Sequence, residues 1–132
     1  MKDAIRKVQQ FHEAFDVPVA PHPTADISAD LRALRARLLE EELQEYREAA
    51  ASCDIVAVAD ALTDLAYILF GTYVTHGLQD AADALFDEVH RSNMSKLDEH
   101  GQPIYRADGK VMKSSRFSQP DLKPILDCYA KA

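Results

Sequence analysis

Tryptophan is absent from this sequence and glycine occurs only four times. Turn-rich all-β architecture is therefore disfavoured, and a composition rich in alanine, leucine and glutamate favours helix over sheet. Cysteine is scarce as well: Cys53 and Cys128 lie far apart and form no CxxC pair. A chain of 132 residues is long enough to build one core without disulfide staples. A single domain spanning 1–132, in a reduced and cytoplasmic setting, is expected. The N-terminal MKDAIRKVQQF lacks the apolar core of a signal peptide. Excess positive charge is missing too. The formal net charge is −7, which argues against nucleic-acid or anionic-membrane partners. Several catalytic signatures are also lacking: GxxxxGK[ST], GxSxG and any Cys/His nucleophile arrangement. There is no internal repeat, low-complexity tract or domain linker.

The charge that is present is unevenly spread. Residues 1–90 carry 7 Lys and Arg against 17 Asp and Glu, whereas residues 91–116 carry 6 against 3. An acidic body followed by a basic arm suits cations in one place and a polyanion beside them. Ordinary solvated surface produces the same unevenness.

Periodicity places an amphipathic helix over residues 2–15, with Ile5, Val8, Phe11, His12 and Phe15 on one side. Pro18, Pro21 and Pro23 then impose an extended connector. Ser28 or Asp30 is positioned to cap a second helix running to about Ala51. Asp54 is positioned to cap a third, ending near Gly77 and apolar enough to expect burial on all sides. Asp60 and Asp64 interrupt it, and the apolar run after them is too short for a membrane span. A fourth helix is expected from Asp80 to about Leu97. In the arm from 97 to 132, IYR and KVM flank ADG, which predicts a short hairpin or an ordered loop. Pro120 is placed to open a last helix through Ala132, weakened by Pro124. The expected fold is all-α, a four-helix-bundle-type core with a C-terminal arm. The apolar excess of the third helix predicts homodimers or homotetramers through helix faces.

The chemistry concentrates in LLEEELQEY, Leu38 to Tyr46. With about 100° per residue and Glu41 set at zero, Leu31, Leu34 and Leu38 fall between roughly 20° and 80°. Glu45 falls near 40° and Glu42 near 100°, so all three glutamates share or border the inward stripe. On the third helix Asp60 and Asp64 share a stripe with Ala57, Ala61, Ile68 and Gly71. Buried carboxylates must be paired, hydrogen-bonded or metal-bound. The inward faces of these two helices are expected to offer no Lys or Arg, and oxygen-only ligands favour Mg²⁺ or Mn²⁺ over Zn²⁺. A solvated acidic helix face remains the other reading of EExxE. On the fourth helix Asn93 shares a face with Phe86, Val89 and Leu97, as a structural cap or a ligand contact. Asp87 and His90 form DxxH, but no second such pair accompanies it, so a di-iron bundle is set aside.

EExxE, a spacer, ADALTDLAYILFG, then LFDEVHRSNMSK and DGKVMK resemble the all-α nucleoside triphosphate pyrophosphohydrolase superfamily. The likeness is greatest to its small MazG-like, phosphoribosyl-ATP-pyrophosphohydrolase-like members, and covers about residues 5–125. The family motif is EExxE followed by ExxD. Glu41, Glu42, Glu45 and Asp64 match it, but Ala61 stands where the second Glu belongs, and Asp60 is the neighbouring substitute. The resemblance implies hydrolysis of a nucleoside triphosphate between the α- and β-phosphates, releasing monophosphate and pyrophosphate. It implies Mg²⁺ held by Glu41, Glu45 and Asp64 with Asp60 supporting, and Glu42 orienting or deprotonating the attacking water. It further implies Lys96, Lys110 and Lys113 on the outer phosphates, and the base near Phe11, His12 and Asn93. Nucleotide-pool cleansing of the dUTP or dCTP type and phosphoribosyl-ATP hydrolysis both fit. A helical module binding a basic partner without turnover is the reading from another class.

Overall fold

The computed structural model describes residues 1–130. Five helices follow in order: α1 (Lys2–Ala14), α2 (Ala29–Ser52), α3 (Ile55–Thr75), α4 (Ala82–Met94) and α5 (Lys123–Tyr129). The fold is all-helical. Two compact units divide the chain, Met1–Asp80 and the remainder from Ala81 onward.

In the first unit α2 packs along α3, and α1 also packs along α3. Local sequence sets the helix ends. The Ser28 hydroxyl accepts from the Leu31 amide at 3.2 Å, and the Asp54 carboxylate accepts from Val56 N at 2.9 Å, each satisfying a donor that the first helical turn leaves free. Cys53, in the left-handed region at φ 56°, makes the sharp link between α2 and α3. At the far end of α3, Leu78 N donates to Tyr73 O and Gly77 N to Val74 O. This bonding pattern is a Schellman cap around Gly77, whose φ is 69°. The proline-bearing connector runs back to this cap. Ala20 N donates to Val74 O, Thr24 N to His76 O, and Gln79 Nε2 to Ala20 O.

The inward face of α2 differs from the leucine-defined stripe. Its buried residues are Arg35 and Ala49, with Glu42 half-buried between them, while Leu34 is exposed. These three positions are seven apart, so each drifts only about 20° from the last. The stripe therefore centres near 100° on the scale above, where Glu42 lies, and Glu41 sits at its edge. The expectation that no arginine faces inward is overturned: Arg35 is 6% exposed. Its aliphatic stem and fork reach the neighbouring helix, so its formal charge conceals an inward position.

The third helix is not buried on all sides. Ala61, Gly71, Val74 and Thr75 are buried, whereas Ile55 is 76% and Val56 74% exposed, with Leu62, Tyr67 and Leu69 exposed as well. By length and composition alone α3 suffices to cross a membrane, but Asp60 and Asp64 interrupt it and both other helices of its unit pack on it.

In the second unit α4 begins at Ala82, after Ala81, and no side chain caps it, so the expected Asp80 cap is not formed. Its buried residues are Ala82, Leu85 and Ser92, while Phe86 and Val89 are exposed. The stripe expected from Phe86, Val89 and Asn93 is thus the outer one. The arm is an ordered loop with a single antiparallel bridge, Tyr105 to Val111, closed by Gly109 at φ 84°. Pro124 lies in the first turn of α5 and so does not weaken it. Pro120 precedes that helix rather than opening it. The last two residues of the expected helix, Lys131 and Ala132, lie outside the described residues.

Candidate metal centre

Glu42, Glu45 and Asp64 each place one carboxylate oxygen within 4.8 Å of the other two. Glu42 and Glu45 come from adjacent turns of α2, and Asp64 from α3, which runs antiparallel to it. Glu42 Oε2 is buried and has no hydrogen-bond partner. Burial raises the Glu42 pKa above the ordinary carboxylate range, and repulsion from Glu45, Asp64, Glu41 and Asp60 adds to it. A desolvated, unpartnered oxygen among like charges is costly. A hard divalent cation removes both costs, and an all-oxygen donor set suits Mg²⁺ or Mn²⁺. The residues present therefore fit the cation that the sequence pattern implies.

The other sequence candidates lie around this cluster. Glu41 is turned outward and meets Arg37 at 3.9 Å, an exposed pair of small energetic value. Asp60 is exposed and lines an open cavity of about 490 Å³ with Glu45, Glu48, Ala49, Ser52, Ala57 and Ala61. Buried Ala61 occupies the position expected of the missing glutamate. The small side chains of Ala49, Ala57 and Ala61 leave this space beside the carboxylates.

Phe11 on α1 is exposed and stands edge-on to Tyr67 on α3, with ring centroids 5.8 Å apart; Phe15 tilts against it at 4.4 Å. His12, next to Phe11, is instead 2% exposed. Its Nδ1 lies 3.1 Å from Pro18 O, the geometry of an Nδ1–H donor. Burial lowers its pKa; the bond to Pro18 raises it, and the Arg35 charge lowers it further. His12 is thus placed as a core residue.

Four candidates belong to the second unit. Asn93 is exposed rather than inward-facing, and its Oδ1 accepts from Lys96 Nζ at 2.7 Å. Lys113 Nζ lies 4.3 Å from the Phe117 ring centroid, a cation–π contact. Lys110 is exposed at the loop tip, where its backbone N donates to Asp108 Oδ1 at 3.2 Å. The Asp108 carboxylate also receives a two-pronged bond from Arg106.

Sequence reasoning missed Arg35. Its Nε donates to Thr72 Oγ1 at 3.1 Å and its NH2 to Ile68 O at 2.6 Å. The seven-residue spacing to Glu42, together with Gly71 and Thr72 on an otherwise bulky helix, was the available signal.

The carboxylates of α2 and α3 face one another, one oxygen among them is buried and unpartnered, and the set is of the kind that suits a hard cation in an all-α fold. The sequence profile of the phosphoribosyl-ATP pyrophosphohydrolase family matches residues 8–93. The chain belongs to that family, within the MazG-like all-α nucleoside triphosphate pyrophosphohydrolase superfamily, and is a pyrophosphohydrolase of that kind. Among solved structures it is similar to a provisionally named NTP pyrophosphohydrolase from Exiguobacterium sp. 255-15. The identity is 30%, over 96% of this chain and 92% of that one, with a TM-score of 0.47. No curated protein matches the chain.

Proposed function

We propose that the protein is a Mg²⁺-dependent nucleoside triphosphate pyrophosphohydrolase, cleaving between the α- and β-phosphates to give monophosphate and pyrophosphate. The observation carrying this reading is the Glu42–Glu45–Asp64 cluster with its buried, unpartnered oxygen. In this reading Glu42, Glu45 and Asp64 hold the cation, Asp60 lines the adjoining cavity, and Glu41 is an outer carboxylate. Glu42 moves from orienting water to holding the cation because it is the innermost acid of α2. When bound, Mg²⁺ supplies Lewis-acid polarisation of the phosphoryl oxygens and lowers the pKa of water. Asp60, free of a direct partner role in the cluster, is the carboxylate that orients or accepts a proton from the attacking water. The exposed Phe11–Tyr67 edge offers the base an aromatic surface.

Homo-oligomerisation through α3 belongs to the same proposal. Burying one large apolar side chain stabilises by about 1.5–3 kcal/mol, and Ile55, Val56, Leu62 and Leu69 all stand exposed. Mass measurement by light scattering checks it; a monomer at micromolar concentration contradicts it.

The family match favours phosphoribosyl-ATP as the second substrate to test, after dUTP- and dCTP-type deoxynucleotides. The deciding experiment incubates the purified chain with Mg²⁺ or Mn²⁺ and a panel of ribo- and deoxyribonucleoside triphosphates plus phosphoribosyl-ATP. Pyrophosphate and monophosphate are both assayed. Pyrophosphate from one or a few substrates supports the proposal and names the substrate class. Silence across the panel, with no metal-induced rise in melting temperature, contradicts it and supports a non-catalytic acidic module.

A further inference from the structure

Arg35 is a buried cation that meets no carboxylate within salt-bridge distance among the described residues. It grips α3 instead. Its Nε reaches Thr72 Oγ1 at 3.1 Å and its NH2 reaches Ile68 O at 2.6 Å. Thr72 Oγ1 donates to the same Ile68 carbonyl at 2.9 Å. Both prongs therefore end on one turn of α3, and that turn directly follows Asp64. On α2, Glu42 lies two turns from Arg35, about 10 Å along the axis.

The surroundings are cut to the guanidinium. A Cβ added at Gly71 would come 2.6 Å from Arg35 NH2 and 2.9 Å from His12 Nε2. Gly71 thus admits the fork to the surface of α3, and His12 from α1 covers it. A slide of α2 by one residue is 1.5 Å and a one-residue rotation about 100°; either breaks both bonds. A lysine would supply a single point of attachment, whereas the planar fork fixes direction as well as distance.

We infer that Arg35 is a positioning residue for the metal centre. It locks the register of α2 on α3 and thereby sets the spacing of Glu42 and Glu45 against Asp64. This rests on reading that cluster as a divalent site. Relief of the guanidinium's desolvation on substitution opposes the loss of its two hydrogen bonds, so melting temperature and metal affinity report separately on stability and on register. Charge alone predicts the opposite sign to register: removing a cation near the carboxylates would tighten divalent binding, while losing the register would weaken it.

The test measures Mn²⁺ affinity by the EPR signal of free Mn²⁺, without nucleotide, on the full chain and on Arg35→Met, Arg35→Lys and Thr72→Val, with thermal melts of each. Arg35→Met and Arg35→Lys are expected to melt at or near the wild-type temperature and to bind Mn²⁺ about tenfold more weakly, the scale seen when residues orienting metal ligands are lost. Thr72→Val, which removes one acceptor at constant volume, is expected to weaken binding about threefold. Binding by Arg35→Met as tight as, or tighter than, wild type overturns the inference. Should Arg35→Met not fold, unchanged affinity in Thr72→Val overturns it instead. A wild type that binds no Mn²⁺ overturns the proposed function and this inference together, whereas a binding wild type with equally tight variants overturns the inference alone.

Discussion

Glu42 and Asp64, on separate helices, bring carboxylate oxygens within 4.8 Å of each other. Nothing in the described structure donates to the buried Oε2 of Glu42. Without a cation the pair is repulsive, so the site opposes the stability of the fold until it is filled.

Asp64→Asn should therefore leave the apo protein as stable as wild type or more stable by about 1 kcal/mol, since a like charge is removed from a partly desolvated cluster. The same variant should lower pyrophosphate release at least ~100-fold. Melting curves with and without Mg²⁺, beside a turnover assay, check both. Stabilisation by Mg²⁺ should be lost with the activity.

Gly77→Ala should be severely destabilising. Gly77 has φ 69°, and an added Cβ would fall 2.0 Å from His22 O, a backbone atom that cannot swing aside. The loss should exceed about 2 kcal/mol, combining left-handed strain with a backbone clash. Urea unfolding gives the value. A wild-type midpoint would contradict the cap described for α3.

Stability should fall on mild acidification through His12. Its folded pKa is held below 6.5, chiefly by burial, so below pH 6.5 the unfolded chain binds a proton that the folded chain refuses. Stability from this group is full above the unfolded value and is lost as pH drops beneath it, at up to about 1.4 kcal/mol per pH unit. His12→Gln should remove that part of the slope, as read from unfolding curves between pH 7 and 5. An unchanged slope would contradict the buried neutral imidazole.

In the second unit Glu88 ties the C-terminal segment to α4. It accepts from Arg91 and from the Asp121 amide, and its pKa is lowered to about 2 by those bonds. The sign is the reverse of ordinary burial: the contribution is present above the unfolded value near 4.5 and is lost as pH falls toward about 2. Glu88→Gln should speed hydrogen exchange at the Asp121 amide near neutral pH, where the carboxylate is charged. Equal exchange rates would contradict the tie.

Much of this was legible in the sequence, and the misses share a cause. Helix starts at Ser28 and Asp54 were readable because caps are local chemistry. The convergence of Glu42, Glu45 and Asp64 was readable because carboxylates at helical spacing on two neighbouring helices are conspicuous. The inward face of α2 was set about 50° off because leucines were counted in and Arg35 counted out, although Arg35 is buried and Leu34 is not. The faces of α3 and α4 were misjudged in the same way. Apolar periodicity marks what a helix is able to bury, and Ile55, Val56 and Phe86 stand exposed among the described residues. Gly71 carried the correction: a glycine in the middle of a long apolar helix signals that a large side chain from elsewhere occupies its place.

The central claim is pyrophosphate-releasing hydrolysis at the α2–α3 carboxylates. Phosphorus NMR of a nucleoside triphosphate turned over with Mg²⁺, by wild type and Asp64→Asn in parallel, tests it most directly. The account predicts monophosphate and pyrophosphate resonances with wild type and none with the variant. Diphosphate with orthophosphate, or equal turnover by Asp64→Asn, would contradict it.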